Sequence, residues 1–381
     1  MAHKSIVFIS TNDAPWGGSE ELWSRAALNL LASGFSVSAS VCAWLPPHRR
    51  VVNLIERGVE VWFRPARYPV RKRAWRRLTS PQKTLATLEV ERLIAARSPE
   101  FVVFSDGGSS PLIDLLEMCA TKRLPFVTIA QANTDRWWPD DALAERYRAA
   151  LRAALRCYFV SNANLRLAEK QIGCEFPNAE IVWNPFNVDF GASPPWPPLG
   201  GGSELHFACV GRLEPGDKGQ DLLLEALAGP VWATRNWRLH LYGEGQNRGI
   251  LECLVQRLGL ADRVVFEGHV DVEEIWSLNH ALVMPSRVEG LPSAVIEAML
   301  CGRPVVATDV AGAEVIEDGV TGFLVGAPTV GCVRNALERF WAKREDAREI
   351  GATASKRIRH LLPSDPARIF ADKIKELLGS N

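Results

Sequence analysis

Short apolar runs alternate with helical periodicities along most of the chain. Runs over 5–10, 36–42, 101–105, 126–130 and 157–161 are rich in apolar and small residues, several of them almost continuously so. That pattern suits strands buried on both faces of a parallel sheet. Between them, residues 20–32, 83–96 and 142–156 carry helical spacing. The order predicts βαβ units wound into one sheet. The alternation pauses at 191–202, which reads GASPPWPPLGGG, and prolines and glycines in this density predict an interdomain linker. A second series follows, with strands expected over 206–210, 238–242, 264–267, 281–284, 304–307 and 322–325, and helices over 219–228, 249–258, 272–280 and 294–300. The expected fold class is α/β, with two Rossmann-like βαβ domains. The first spans 1–190, a linker spans 191–203, and the second spans 204–362. A helix over 365–378, within the tail 363–381, is expected to return to the first domain. Ligands of such sheets bind at the carboxyl ends of the strands, so two such domains facing each other would enclose a cleft.

Composition narrows the function classes. The 381 residues suit two domains at roughly 150 residues each. Hydrophobic residues at 47% and charged residues at 23% exclude a disordered chain or a disulfide scaffold. Forty-four basic residues balance 44 acidic ones, which disfavours a dedicated nucleic-acid binder. None of the eight cysteines stands in a C-x-x-C pair, so small buried thiols in a reducing compartment are expected. The first ten residues read as a strand and not as a signal peptide. No apolar stretch approaches about 18 residues. A cytoplasmic protein is therefore expected, with a peripheral place at the inner face of the cell membrane as the further expectation. Residues 64–77 (RPARYPVRKRAWRR) hold seven basic residues and no acidic one. They read as a solvated loop and helix face, or as a patch for an anionic acceptor or an anionic membrane surface.

Four segments carry candidate chemistry. After the first strand, Gly17 and Gly18 precede Ser19 and Glu20 at a helix start, where backbone approaches a ligand closely and N–H groups face an anion. Ser19 also reads as an ordinary N-cap. In VGRLEPGDKGQ, Gly211 follows a strand and Arg212 and Lys218 lie six residues apart. Two cations there can hold a diphosphate, or be balanced by Glu214 and Asp217. In LYGEGQNRG, Gly243, Glu244 and Gly245 make a βα turn without the dinucleotide glycine spacing. The fourth segment runs from Met284 to Val325. In it Glu289 precedes Glu297 by eight positions. A helix starting near Ser293 would aim its first-turn N–H groups at the place Glu289 reaches, with Glu297 about one turn inside.

These segments together resemble the retaining GT4-like family of GT-B-fold glycosyltransferases, glycosyltransferase group 1. Glu289-Gly290-Leu291-Pro292 through Glu297-Ala298-Met299, then Gly302-Arg303-Pro304-Val305-Val306-Ala307, look like that family's E-x7-E segment. Val210-Gly211-Arg212-Leu213 with Lys218-Gly219 look like its diphosphate loop, and Gly17-Gly18-Ser19-Glu20 like its glycine loop. Trp183-Asn184-Pro185 and Asn187-Val188-Asp189 resemble the segment that ends the first domain. The resemblance implies a nucleotide-sugar donor, UDP- or GDP-linked, with no other cofactor. By position, Arg212 and Lys218 would bind the diphosphate and Glu297 the ribose. Glu289 would contact the transferred sugar with backbone N–H groups near Gly290 and Leu291. The base would lie near Gly243, Glu244, Gly268, His269 and Val270, and Gly18 would approach the phosphates. Many members carry a histidine after the strand matching 126–130. Gln131 stands there in this chain, followed by Asn133, Asp135 and Arg136.

The implied reaction is transfer with retention to a hydroxyl of a saccharide or lipid-linked acceptor, as in surface polysaccharide or glycoconjugate synthesis. No metal is expected, because Arg212 and Lys218 replace it and no D-x-D pair lies near the donor loops. A nucleotide-sugar hydrolase or epimerase of the same fold is one alternative. A non-catalytic nucleotide-sugar-binding subunit of a polymer-assembly complex is the other.

Overall fold

The computed structural model describes residues 4–12, 14–65, 85–107, 112–198 and 204–379. The chain forms two compact units. One is Met1–Pro185 together with Asp365–Asn381, and the other is Phe186–Ser364.

The first unit is built on seven parallel strands: β1 (Ser5–Ser10), β2 (Ser36–Ala43), β3 (Glu60–Pro65), β4 (Phe101–Asp106), β5 (Phe126–Ala130), β6 (Arg156–Phe159) and β7 (Ala179–Ile181). They lie in the order β3-β2-β1-β4-β5-β6-β7. Val7 pairs with Val102, and Val102 with Phe126. These central strands are covered on both faces, so almost every side chain of Ile6–Ile9 and Phe101–Phe104 is buried. The second unit has six strands: β8 (Leu205–Val210), β9 (Trp237–Tyr242), β10 (Val264–Gly268), β11 (Ala281–Met284), β12 (Val305–Thr308) and β13 (Gly322–Val325). Their order is β10-β9-β8-β11-β12-β13, again parallel. Its core includes Phe207, Trp232, Trp237 and Phe340. Each unit is thus a doubly wound Rossmann-like sheet. Strand order reverses between β1 and β4 in the first and between β8 and β11 in the second, and these switch points are where such sheets hold ligands.

Several elements differ from the sequence expectation. Helix Arg49–Glu56 and strands β3 and β7 have no counterpart in the apolar pattern. β3 is an edge strand with Glu60 and Phe63 exposed, so it lacks the continuous apolar run. The helix expected to reach 156 ends at Ala153, and Arg156 opens β6. Gly18, not Ser19, caps helix Ser19–Ala32. The first unit ends at Pro185, ahead of the expected residue 190, and Asp365–Asn381 groups with it. There Phe370 meets Tyr158 edge-on at 5.1 Å, and Lys4 Nζ donates to Leu378 O at 2.5 Å. The proline-rich stretch up to 198 is not a free tether. Arg359 Nη2 donates to Ala192 O (2.8 Å) and Arg303 Nη2 to Pro195 O (2.7 Å). Among the described residues no helix is long and apolar enough to cross a membrane.

Arg64, the first residue of the basic run, corrects the picture of a solvated patch at that position. It is buried in β3 and donates to Ser40 Oγ (2.6 Å) and to Ser10 O. The run from 66 to 77 lies outside the described residues. Nearby, Glu20 is buried and accepts from Ser10 Oγ and Trp23 Nε1, each at 2.9 Å. Burial outweighs these bonds and the field of Arg64, and pushes its carboxyl from 4.5 up to about 7. The folded state therefore binds this proton more tightly than the unfolded chain. The stability it contributes is complete below pH 4.5 and is lost as pH rises through about 7. His280, in the second unit, is lowered by burial to about 4 and acts with the opposite sign. The difference between wild type and Glu20→Gln isolates Glu20. In urea unfolding, the variant is expected to gain on wild type between pH 4.5 and 7, by about 1.4 kcal/mol for each step of one in pH. A difference that does not change with pH contradicts this.

Candidate functional site

The switch point of the second sheet is framed by the loops after β8 and β11. Glycines let these loops and their neighbour after β9 meet backbone to backbone. Gly243 has φ +122°, and a Cβ there would lie 2.2 Å from Gly211 O. Gly219 has φ +68°, and a Cβ there would lie 2.1 Å from Pro285 O. No other residue fits either place without shifting a strand end. Arg287, which no motif in the sequence marks, fastens the same loops. Its guanidinium pairs with both oxygens of Asp221 at 2.7 Å and donates to Pro215 O at 2.5 Å. Its backbone N–H donates to Asp217 O at 2.7 Å. A bidentate pair of this kind fixes direction as well as distance.

With the turn at Pro215–Lys218 held this way, Lys218 reaches across the switch point to Glu289, Nζ to Oε1 2.7 Å. The two side chains are 16% and 9% exposed. Two residues 71 positions apart, each singled out by its own sequence segment, thus form one half-sheltered ion pair. Arg212 is placed differently. Its half-exposed guanidinium pairs with Glu214 (2.6 Å) and Asp217 (3.4 Å). The local charge balance is the arrangement present, so a diphosphate would have to draw Arg212 off two carboxylates.

Helix Ser293–Leu300 starts where the sequence predicts, after Pro292 as N-cap. First-turn N–H groups have no acceptor within their own helix. Glu297 lies one turn in and is 3% exposed. Its Oε1 accepts from Asn187 N (2.9 Å) and Asn187 Nδ2 (3.1 Å). This carboxylate therefore holds residue 187 at the start of the second unit. Beneath the Glu289 loop a small pocket is lined by Ser286, Glu289, Pro292, Val295 and Thr308 among others. The buried hydroxyls of Ser286 and Thr308 have no hydrogen-bond partner among the described residues. Gly290 and Leu291 are buried beside it. On the neighbouring loops, Gly243 N donates to Gly268 O (2.7 Å), Glu244 accepts from Arg248 (3.1 Å), His269 is exposed and Val270 is half-buried. Among the described residues no three His, Cys, Asp or Glu side chains group as metal ligands.

In the first unit, Gly17 O and Gly18 O accept from Glu20 N (3.0 Å) and Glu21 N (3.3 Å). A Cβ at Gly17 would meet nothing closer than 3.7 Å, so packing does not demand glycine there. Thr11, following β1, donates to Asp106 at the end of β4 (2.9 Å), which closes this switch point. Gln131 is buried at the end of β5, and its Oε1 accepts from Asn184 Nδ2 at 2.8 Å. Gln131 Nε2 and Asn184 Oδ1 have no hydrogen-bond partner among the described residues.

Comparison with known proteins agrees with the resemblance read from the sequence. Residues 204–343 match the family model of Glycosyl transferases group 1. The chain is 35% identical over 165 residues to the D-inositol 3-phosphate glycosyltransferase of Gordonia bronchialis, covering 40% of this chain and 36% of that one. It is 28% identical over 317 residues to the GDP-mannose-dependent alpha-(1-6)-phosphatidylinositol monomannoside mannosyltransferase of Mycolicibacterium smegmatis, covering 78% and 79%. The match spans about a third of the length of the Gordonia relative and over three quarters of the mannosyltransferase. Anabaena HepE in complex with UDP superposes with a TM-score of 0.74 at 19% identity, over 99% of this chain and 100% of that one. The sucrose-phosphate synthase of Thermosynechococcus elongatus gives the same values. These likenesses show the GT-B fold.

Proposed function

We propose that the protein is a retaining hexosyltransferase. It moves a sugar from a UDP- or GDP-linked donor to a hydroxyl of a saccharide or glycolipid acceptor, in surface polysaccharide or glycoconjugate synthesis. The observation that carries this reading is the Lys218–Glu289 pair across the β8/β11 switch point. It unites the diphosphate loop and the E-x7-E segment in one site. The solved complex of HepE with UDP and the GDP-mannose dependence named for the mannosyltransferase support a nucleotide-sugar donor.

In this reading Lys218 exchanges Glu289 for the donor's diphosphate, and Arg212 leaves Glu214 and Asp217 to join it. Both stabilise the negative charge that grows on the leaving group. Glu289, freed from Lys218, accepts hydrogen bonds from hydroxyls of the transferred sugar. The bond from the anomeric carbon to the diphosphate oxygen breaks. The acceptor oxygen forms its bond on the same face, and its proton passes to the departing phosphate. Glu297 acts by holding residue 187 and by meeting the donor's ribose. No metal is needed, since two side-chain cations neutralise the leaving group. A peripheral position at an anionic membrane face fits the phosphatidylinositol acceptor named for the mannosyltransferase.

The reading is tested by transfer with a nucleotide sugar in excess EDTA, with the product's anomeric configuration read by NMR. Retained configuration and undiminished rate are expected. Inverted product, or complete loss with EDTA, contradicts the mechanism. Release of free sugar or an isomer with every acceptor tried favours the hydrolase or epimerase reading.

A further inference from the structure

Alternate residues of a strand point to opposite faces of its sheet. Leu205, Phe207 and Cys209 of β8 and Leu239 and Leu241 of β9 belong to the core of the second unit, so His206 and His240 stand on the other face. Their rings are nearly parallel, with 16° between planes and centres 5.2 Å apart. Four side chains form an unbroken line across β8, β9 and β10. Glu204 Oε2 lies 3.1 Å from His206 Nε2. His206 Nδ1 lies 3.1 Å from His240 Nε2, and His240 Nδ1 lies 2.7 Å from Glu267 Oε1.

Each of these three contacts needs one hydrogen between its heavy atoms. Two neutral imidazoles carry two ring hydrogens, and two imidazoliums carry four. With two, one contact sets lone pair against lone pair. With four, two N–H groups meet head-on between the rings. Three hydrogens fill the line, one proton more than the neutral pair holds. An imidazole is a stronger base than a carboxylate, so that proton resides on a ring.

The surroundings place it on His240, which has the shorter carboxylate contact. Glu204 is shared with Arg238 Nε at 3.4 Å, and burial, then the charge of His240, lowers the pKa of His206. His280 packs against His206 with ring centres 5.8 Å apart, and its Nδ1 accepts from His206 N at 3.0 Å. Burial, then the charges of His206 and Arg303, lowers His280 to about 4. Tyr242 stacks on His240 with centres 6.1 Å apart. Burial, with the charges of Glu267 and Glu274, pushes its hydroxyl up to about 12. Both neighbours are thus neutral near pH 7.

We propose that His206 and His240 form a one-proton clasp across β8, β9 and β10, with His240 as imidazolium between Glu267 and His206, and His206 neutral between His240 and Glu204. The clasp makes the second unit pH-sensitive. Two free imidazoles pass from two protons to none around pH 6.5, whereas the clasp keeps one on both sides. Its contribution to stability is greatest near that pH. It falls on the acid side, where the unfolded chain binds more protons, and on the alkaline side, where the unfolded chain binds fewer. Glu267 precedes Gly268, whose carbonyl accepts from Gly243 N. The clasp therefore ends one residue from the backbone contact that joins the ends of β9 and β10.

Nitrogen-15 NMR of the full chain labelled at histidine tests the proton count. Signals are assigned by their loss in His206→Gln and His240→Gln, or by through-bond correlation where a variant does not fold. At pH 7, three of the four ring nitrogens of the pair are expected to carry hydrogen, with His206 Nδ1 alone bare. Two bare nitrogens, or none, overturns the proposal. Urea unfolding gives a second reading, because glutamine at 240 keeps a donor toward His206 and holds no titrating proton. Above about pH 6.5, the unfolding constant of wild type is expected to rise relative to that of His240→Gln, by up to about tenfold for each step of one in pH. A ratio that stays level from about pH 6.5 to 8.5 overturns the proposal as well.

Discussion

Replacing Lys218 by alanine is expected to lower turnover at least about a hundredfold, equivalent to about 2.7–4 kcal/mol of lost leaving-group stabilisation. The geometry explains why this residue and not Arg212 should dominate. Lys218 is only 16% exposed and is aimed by the Arg287–Asp221 fork and the Gly219–Pro285 contact. Arg212 is half exposed and already shares two carboxylates. A sheltered cation acts with less solvent screening than an exposed one, so Arg212→Ala should cost less. Lys218→Ala also leaves Glu289 without its cation, so a loss of stability accompanies the loss of rate. Rates are therefore compared on protein shown to be folded by circular dichroism. Turnover within about threefold of wild type would remove Lys218 from the mechanism.

Replacing Arg303 by methionine is expected to destabilise the second unit by about 3–5 kcal/mol, because several carbonyls lose their donor at about 1–3 kcal/mol for each one left unsatisfied. Arg303 is 2% exposed. Its guanidinium donates to the carbonyls of Asn279 (2.9 Å), Cys301 (2.8 Å), Pro195 (2.7 Å) and Trp276, and it lies 5.0 Å from the centre of the Trp196 ring. These acceptors are all carbonyls, with no carboxylate among them. Burial accordingly drags its pKa down to about 10. Methionine fills similar space but leaves those carbonyls without donors. Lysine should not rescue the site, because one ammonium offers three donors from a single atom and cannot span the same fan of acceptors. Calorimetry should show the transition lowered by about 10 °C, at roughly 2–4 °C per kcal/mol for a unit of this size. A change within about 2 °C would mean that the proline-rich segment is not held through Arg303.

The parts of the fold that are legible in the sequence are those whose physics is local. Central strands such as β1, β4, β8 and β12 are buried on both faces, so their sequences are nearly continuous in apolar residues. β3 escapes because an edge strand is covered unevenly. Arg64 reads as part of a solvated basic run, since nothing local reveals that its guanidinium reaches Ser10 and Ser40 on neighbouring strands. The site follows the same division. The spacing of Glu289, Ser293 and Glu297 predicts one helix with its loop, and that helix is present. What the helix carries depends on distant partners. Glu297 is 110 residues from Asn187, and no spacing announces that an asparagine will meet it with two donors. Arg287 and Asp221 stay hidden because a bidentate pair between loops leaves no periodic trace. The glycines at 219 and 243 are visible, but their reason is not. They stand where strand ends of one sheet meet, and topology decides that, not local composition.

The central claim is that the loops after β8 and β11 hold a nucleotide sugar through Lys218 and Glu289. It is tested most directly by thermal unfolding with UDP, GDP, ADP and their sugar conjugates, run in parallel on wild type and Lys218→Ala. A ligand at 100 times its dissociation constant adds about 2.7 kcal/mol of stability. One nucleotide class should stabilise wild type, its sugar conjugate should do so as well, and both shifts should shrink sharply in Lys218→Ala. No shift with any nucleotide, or equal shifts in the variant, would contradict the account.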